Sequence, residues 1–228
     1  MNKPVGLDDF NPYGDDRRAL TEREYNRLNR YEKMEFTFPF YKMDVNGFVF
    51  KLKIAVLNEN PKMKGKLYCV KYVSLKALAK SFSTHPSWDA LKDEKSDFVK
   101  FLKATCYNKE EDKFEVWKIR IMGLLMCDGN PDETAEELYT CIVDTGKEEI
   151  TCNDRDMEPT LIQIFETATV MMFNMEAMFL KGKNTFSDKQ IKDARDMYED
   201  EIEEFLDEVF DVESRLTREE FVESFAKN

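Results

Sequence analysis

Near its C-terminus the chain reads Phe210-Asp211-Val212-Glu213-Ser214-Arg215-Leu216-Thr217-Arg218-Glu219-Glu220-Phe221. The preceding segment is apolar at helical spacing, at Met197, Ile202, Phe205, Leu206, Val209 and Phe210. Gaps of three and four residues place these side chains on one face of a helix. The stretch therefore predicts a helix, a short polar loop that contains one apolar residue, Leu216, and a second helix.

The same order of elements is predicted upstream. Helices are indicated over 117–126 and 136–142, on either side of a break at Cys127-Asp128-Gly129-Asn130-Pro131. A loop over 144–154 contains the apolar Ile150, and a further helix follows. The apolar residues of that helix are again spaced by three and four: Leu161, Ile164, Phe165, Ala168, Met171, Met172, Met175 and Met178.

These segments resemble the EF-hand proteins of the calcineurin B, recoverin and frequenin group, over roughly residues 97–228. The likeness is sharpest in Phe210-Asp211, the polar loop and Leu216-Thr217-Arg218-Glu219-Glu220-Phe221, which look like the end of a fourth hand. Residues 106–117 resemble a second hand that leads into a long helix. The resemblance implies a mainly α fold with EF-hand-like helix-loop-helix pairs.

A calcium-binding EF-hand loop needs oxygen ligands at positions 1, 3, 5, 7, 9 and 12 and a glycine at position 6. The resemblance also implies an apolar residue at position 8 that pairs with the partner hand. If Phe114 is position 8, positions 1 and 12 are Tyr107 and Lys118. A lysine at the closing position would repel a cation, so this loop is not expected to bind calcium.

The other two loops also lack a full set of ligands. With Ile150 at position 8 the loop closes on Asp154, which is too short for the usual bidentate glutamate contact. Asp144 and Glu148 leave a weak calcium site open as an alternative. With Leu216 at position 8, Glu220 falls at position 12, but a loop from Asp211 is two residues short. The simpler interpretation of Glu220 is a solvated carboxylate near a helix N-terminus, where the dipole favours negative charge.

Composition indicates a soluble, acidic chain with a real core. The chain has 228 residues, 42% of them hydrophobic, and a net charge of −12. This charge argues against nucleic-acid binding, which needs a basic surface. No apolar run is long enough for a membrane span, and the sequence predicts no cofactor. Five widely spaced cysteines, without a CxxC pair, are typical of cytosolic thiols.

The N-terminal third departs from the EF-hand resemblance. Residues 1–34 predict an extended arm and a short helix that begins at a Thr21/Glu24 capping box. Residues 35–73 predict a small β element. Its hairpin turns at Asn46-Gly47 between alternating β-formers, and residues 66–73 add a third strand. Helices are then predicted over 74–82 and 86–104, within an EF-hand-like helical domain that covers 74–228.

The sequence does not favour an enzyme. His85 is the single histidine and is expected to cap a loop, and the cysteines lack a local activating group. No phosphate-binding loop, dinucleotide motif or zinc-protease helix is present. A small enzyme of an unrecognised family remains as a second alternative function.

Methionines and phenylalanines predict a partner-binding groove. Methionine is flexible and polarizable, so it suits a groove that accepts a helix from a partner or from the chain's own arm. Plain core packing explains the same residues. The predicted groove consists of Leu124, Leu125, Leu138, Ile142, Phe165, Met172, Met175 and Phe179.

The leading interpretation is a non-catalytic, calcium-independent EF-hand-like adaptor or structural subunit of a hetero-oligomeric assembly. Its partner is expected to be a protein that presents an amphipathic helix. The first alternative is a calcium-sensing regulatory subunit with atypical loops. The expected location is cytoplasmic, with the cytoskeleton and the cilium as candidate sites.

Overall fold

A computed structural model describes residues 37–62, 70–143, 149–151, 157–179 and 215–227, with single helical positions at 189, 192, 193, 202, 206 and 210. These residues are mainly helical and include two small antiparallel sheets. The predicted mainly helical class is therefore confirmed. The arm and short helix predicted for 1–34 lie outside the described residues.

The first helix, α1 (Val45–Glu59), occupies the segment for which a β-hairpin was predicted. That prediction is wrong, because Asn46-Gly47 lies in the first turn of the helix rather than in a hairpin turn. Asp44 caps the helix through a carboxylate oxygen that accepts from the Gly47 backbone N–H at 2.6 Å. The alternation would bury Phe50, yet this side chain is 60% exposed. The buried residues instead follow helical spacing: Val45, Phe48, Val49, Leu52, Ala55 and Val56.

Of the predicted third strand, residues 70–73 are described, and two of them form β1 (Tyr72–Val73). Helix α2 (Leu75–Phe82) follows, as predicted, and begins at the Ser74 cap. The helix predicted over 86–104 is divided into a 3-10 helix, Pro86–Lys92, and α3 (Asp97–Cys106). Ser96 sets this division, because its hydroxyl accepts from the Val99 N–H at 3.1 Å and donates to the Ala90 carbonyl at 2.8 Å.

A hairpin and two helices occupy the middle of the chain. Strands β2 (Tyr107–Asn108) and β3 (Lys113–Glu115) form the hairpin, and β1 pairs with the other side of β3. The sheet predicted within residues 35–73 is not formed there: among its described residues only Tyr72–Val73 is a strand, and its partner strands come from residues 107–115. Helices α4 (Val116–Met126) and α5 (Pro131–Ile142) follow on either side of the predicted break, and Asn130 caps α5.

The C-terminal part contains a long helix and a second loop pair. Strand β4 (Glu149–Thr151) precedes α6 (Met157–Phe179), and β5 (Arg215–Thr217) leads into α7 (Arg218–Lys227). Strands β4 and β5 are antiparallel. Across the described ranges, no helix has both the length and the apolarity needed to cross a membrane.

Two hydrophobic clusters form the core. The N-terminal cluster joins residues 38–56, 73–106 and 114–126 to Met171 and Met175 of α6. It is rich in aromatic rings; Phe38 stacks on Phe101 with 4.3 Å between ring centroids. The C-terminal cluster joins α5, the β4–β5 pair and α7 to Met157 and Leu161 of α6. Because α6 supplies residues to both clusters, it connects the two halves of the core.

Candidate functional site

The first candidate feature is the pair of loops joined by β1 and β3. The strands are antiparallel, with Val73 opposite Phe114 and Tyr72 opposite Glu115. Val73 is fully buried and Phe114 nearly so. Each strand leads directly into a helix, α2 or α4. Two helix-loop-helix units are thus joined through an apolar pair near the C-terminal ends of their loops.

The loop between α3 and α4 turns sharply at Asp112. This residue has φ of 52°, the left-handed conformation that usually requires glycine. Its carboxylate accepts a hydrogen bond from the Tyr107 hydroxyl, which raises the pKa of Tyr107. At the other end of the loop, the Lys118 ammonium lies 2.9 Å from the Glu115 carboxylate. The loop is therefore held by its own side chains, with a cationic group at its end.

Glu59 links the two loops from the end of α1. Its carboxylate accepts from the Ser74 backbone N–H at 2.6 Å and lies 2.6 Å from the Lys113 ammonium. Ser74 caps α2 and Lys113 begins β3, so one carboxylate connects both units. Burial alone would raise the pKa of Glu59, but hydrogen bonds from Lys113 and Ser74 outweigh it and lower the pKa from 4.5.

Replacing Glu59 with Gln is expected to remove a pH-dependent part of the stability. Because folding lowers the pKa of Glu59, its carboxylate stabilises the fold above pH 4.5, and this stabilisation is lost as the pH falls through the folded-state pKa. The difference in free energy of unfolding between wild type and Glu59→Gln should be largest near neutral pH and shrink below pH 4.5. Urea unfolding followed by circular dichroism measures it. In a Lys113→Met background the effect of Glu59→Gln on the free energy of unfolding should depend less on pH. If the difference between wild type and Glu59→Gln does not vary with pH, the ionised Glu59 carboxylate does not stabilise the fold.

The second loop pair is closed by Ile150 and Leu216, which lie opposite each other in β4 and β5. Both side chains are buried. Next to this pair, the Thr217 N–H and hydroxyl donate to the Glu220 carboxylate at 2.8 and 2.9 Å. The Glu220 N–H donates back to the Thr217 hydroxyl at 3.3 Å, which completes a capping box at the start of α7. These bonds lower the pKa of Glu220.

The capping role agrees with the simpler interpretation of Glu220 as a helix-start carboxylate. Its signal was present in the sequence, since Thr217 and Glu220 have capping-box spacing. The other candidate metal ligands, Asp144, Glu148, Asp154 and Asp211, lie outside the described residues. Within the described ranges, no three acidic, cysteine or histidine residues are grouped so as to hold a metal ion.

The predicted groove residues are divided between the two clusters. Leu124 and Met175 are buried in the N-terminal cluster, and Leu138 and Ile142 are buried in the C-terminal cluster, where Phe165 is half-buried. Leu125 and Met172 are 44% and 42% exposed. Phe179 ends α6, and its side chain is outside the described part. The seven described side chains are therefore divided between the two clusters and the surface.

The methionine-rich half of α6 packs within the chain itself. Met171 and Met175 are buried in the N-terminal cluster, and α6 lies against both α3 and α4. The Asn174 side-chain amide donates to the Thr105 hydroxyl of α3 at 3.1 Å. Core packing, which the sequence left open beside the groove, thus accounts for these two methionines.

A cavity that sequence reasoning missed lies where α1 and α4 meet α5 and α6. Beside it, Arg120 of α4 donates to the Glu137 carboxylate of α5 at 2.6 Å, and Lys53 of α1 lies 3.8 Å from the same group. The Arg120 and Glu137 side chains are only 11% and 13% exposed. The available signal was an arginine in the apolar run Ile119-Arg120-Ile121-Met122, because a cation on a buried helix face needs a partner.

The residues considered for catalysis occupy ordinary structural positions. His85 precedes the Pro86–Lys92 helix, and its Nδ1 is 2.7 Å from the Ser87 hydroxyl. Burial raises the pKa of Cys106 and Cys127 well above the usual range and that of Cys141 to about 11. At neutral pH these thiols are protonated and therefore poor nucleophiles. Cys69 and Cys152 lie outside the described residues.

No protein-family model, curated protein or solved structure matches this chain. Its functional assignment therefore rests on its own residues and their geometry.

Proposed function

We propose that this chain is a non-catalytic, calcium-independent EF-hand-like adaptor or structural subunit of a larger protein assembly. The observation that carries the proposal is the closure of both loop pairs by apolar residues, Val73 with Phe114 and Ile150 with Leu216. Strands β1, β3 and β5 each lead into a helix, as in the proteins that the sequence resembles. Under this proposal, each half of the core is one pair of helix-loop-helix units.

The backbone of the loop between α3 and α4 supports this register. With Phe114 at position 8, position 6 is Asp112, and its φ of 52° is the conformation for which EF-hand loops use glycine. The loop therefore has the backbone turn of an EF-hand loop but lacks oxygen ligands for calcium at its two ends. Tyr107 stands at position 1 and Lys118 at position 12, where oxygen ligands would be needed.

Calcium independence is supported by the contacts that two carboxylates, Glu59 and Glu220, make within the protein. In the first pair, the Glu59 carboxylate bonds to both Ser74 and Lys113, so it supplies a cross-link between loops without a metal. In the second pair, the Glu220 carboxylate caps its own helix. Since these contacts form without a metal ion, partner binding is expected to be constitutive.

The partner is proposed to be a protein that presents an amphipathic helix. Leu125 and Met172 are exposed large apolar residues on α4 and α6, two helices that pack against each other. Both were among the predicted groove residues, and they remain accessible. Exposed apolar side chains of this kind suit the apolar face of a partner helix.

Calcium is expected to change neither the stability of the protein nor its association with partners. At about one hundred times its dissociation constant, a bound ion would add about 2.7 kcal/mol to the free energy of unfolding. Thermal unfolding in millimolar calcium and in chelator should therefore give the same midpoint, and calorimetric titration should show no micromolar binding. The natural complex should co-purify equally well under both conditions.

The controls separate the scaffold from the calcium-sensor alternative. Magnesium at equal concentration reports the general effect of ionic strength. Leu125→Ser should weaken co-purification, whereas Phe50→Ser, at an exposed residue of α1, should leave it unchanged. Micromolar calcium binding, or a complex that forms only with calcium, would support the sensor and refute this proposal.

A further inference from the structure

The cavity between α1, α4, α5 and α6 has a volume of about 390 Å³. Small-molecule sites in proteins are typically about 300–1,000 Å³ and combine an apolar lining with a few polar groups. The cavity lies between helices of the N-terminal cluster and helices of the C-terminal cluster. Its size and position are therefore those of a ligand site rather than of a packing defect.

The two sides of the cavity differ in chemistry. Helices α1 and α4 present mainly apolar groups, among them Leu52, Val56, Trp117 and Ile121. Helices α5 and α6 present hydrogen-bonding groups, among them Thr140, Cys141, Thr160 and Gln163. A molecule that fits this space would contact apolar carbon and could also bond to polar or charged groups of the lining, among them Lys53 and Gln163.

The charged groups of the cavity are positive. Lys53 and Arg120 line it, and no carboxylate is among its described lining residues. Glu137 lies next to both cations, 3.8 Å from Lys53 and 2.6 Å from Arg120. Lys53 and Arg120 thus both lie beside this carboxylate, in a protein whose net charge is −12. Because its contact with Glu137 is long and its side chain is 36% exposed, Lys53 can approach a ligand anion.

We propose that this cavity binds a small amphipathic molecule with a flat apolar body and one anionic group. The body lies against Trp117 and Ile121, and the anionic group lies at Lys53. A protein partner is disfavoured as the occupant, because a stable protein interface covers about 800 Å² on each side, far more than this cavity offers. The inference goes beyond the adaptor function and does not depend on it.

The test uses two related fluorescent probes with the full-length protein. Anilinonaphthalene sulfonate has a flat apolar body and one anionic group, and phenylnaphthylamine has the same ring system without the charge. Both are expected to bind with one molecule per chain and a dissociation constant of about 10–100 µM. The Lys53→Met variant should weaken binding of the sulfonate by about fivefold and leave binding of the neutral probe unchanged.

Matched variants locate the site. Thr160→Trp, which fills part of the cavity, should weaken both probes at least tenfold, and Gln163→Trp serves if the first variant does not fold. Phe50→Ser, which removes the exposed aromatic ring of α1, should change neither. Absence of saturable binding, or unchanged affinity in the folded cavity-filling variant, would overturn the proposal. Equal weakening of both probes by Lys53→Met would overturn the assignment of the anion to Lys53.

Discussion

Arg120→Met is expected to lower the free energy of unfolding by about 3–5 kcal/mol, because it leaves the Glu137 carboxylate largely buried without its main partner. Arg120 also donates to the Thr140 side-chain oxygen, so the change removes a second contact with α5. Lys53, 3.8 Å from Glu137, offers partial compensation and favours the lower end of the range. Urea unfolding followed by circular dichroism measures the loss.

A double variant distinguishes a buried-charge penalty from a loss of packing. In Arg120→Met/Glu137→Met both charges are absent, and the loss should be clearly smaller than in Arg120→Met alone. If the loss of stability in the double variant equals the sum of the losses in Arg120→Met and Glu137→Met, the two charges are not energetically coupled. In that case the contact between α4 and α5 depends on shape rather than on charge.

Gly123→Ala is expected to destabilise the protein by about 1–3 kcal/mol, although alanine is the better helix former by about 1 kcal/mol. A Cβ at this position of α4 would lie 2.0 Å from the Phe48 ring of α1, whereas carbon atoms in contact are about 3.5–4.0 Å apart. Phe48 is fully buried among aromatic rings, so its ring has no space into which to move. Steric repulsion therefore outweighs helix propensity. Thermal and urea unfolding measure the effect.

The same substitution in a Phe48→Leu background provides the control. Leucine lacks the ring edge that meets position 123, so the cost of alanine should be much smaller there or reverse in sign. Stabilisation of the wild-type chain by Gly123→Ala would show that α1 and α4 lie farther apart than described. The free energy of unfolding of all four variants completes the cycle.

Local signals predicted much of the helical pattern. Apolar spacing placed α4 within one residue of its observed bounds and located α5 and α6, although α5 begins at Pro131, within the predicted break, rather than at Glu136. Sequence also selected Phe114, Ile150 and Leu216 as the apolar residues of their loops, and all three are buried in strands. These features depend on residues within a few positions of one another, so they can be predicted from a single sequence.

The main error arose where two local patterns competed. Residues 45–57 show β-type alternation around Asn46-Gly47 and also helical spacing of apolar residues. The helix prevails because it buries Phe48 and Leu52 against distant segments of the chain, which a local turn signal does not report. Tertiary packing decides such cases, since burial of an aromatic or aliphatic side chain is worth about 1.5–3 kcal/mol.

The candidate sites were predicted less well than the helices. The eight groove residues were chosen from helical faces, but a face does not specify its neighbour, and α6 places Met175 in one cluster and Phe165 in the other. The Glu59 link and the Arg120–Glu137 pair join residues 15 to 54 positions apart in the sequence. No local pattern relates such positions.

The sequence by itself determined the mainly helical class, the order of the described helices from α2 onward and the lack of calcium ligands at both ends of the loop from Tyr107 to Lys118. Only the tertiary structure decided that Val73 pairs with Phe114, that the methionines of α6 pack on α3 and α4, and that a cavity remains where α4 and α6 meet α1 and α5. The physical reason is the separation along the sequence of the residues that determine each feature. Helix periodicity and ligand spacing are properties of neighbouring residues, whereas strand register, buried ion pairs and cavities depend on which distant surfaces come into contact.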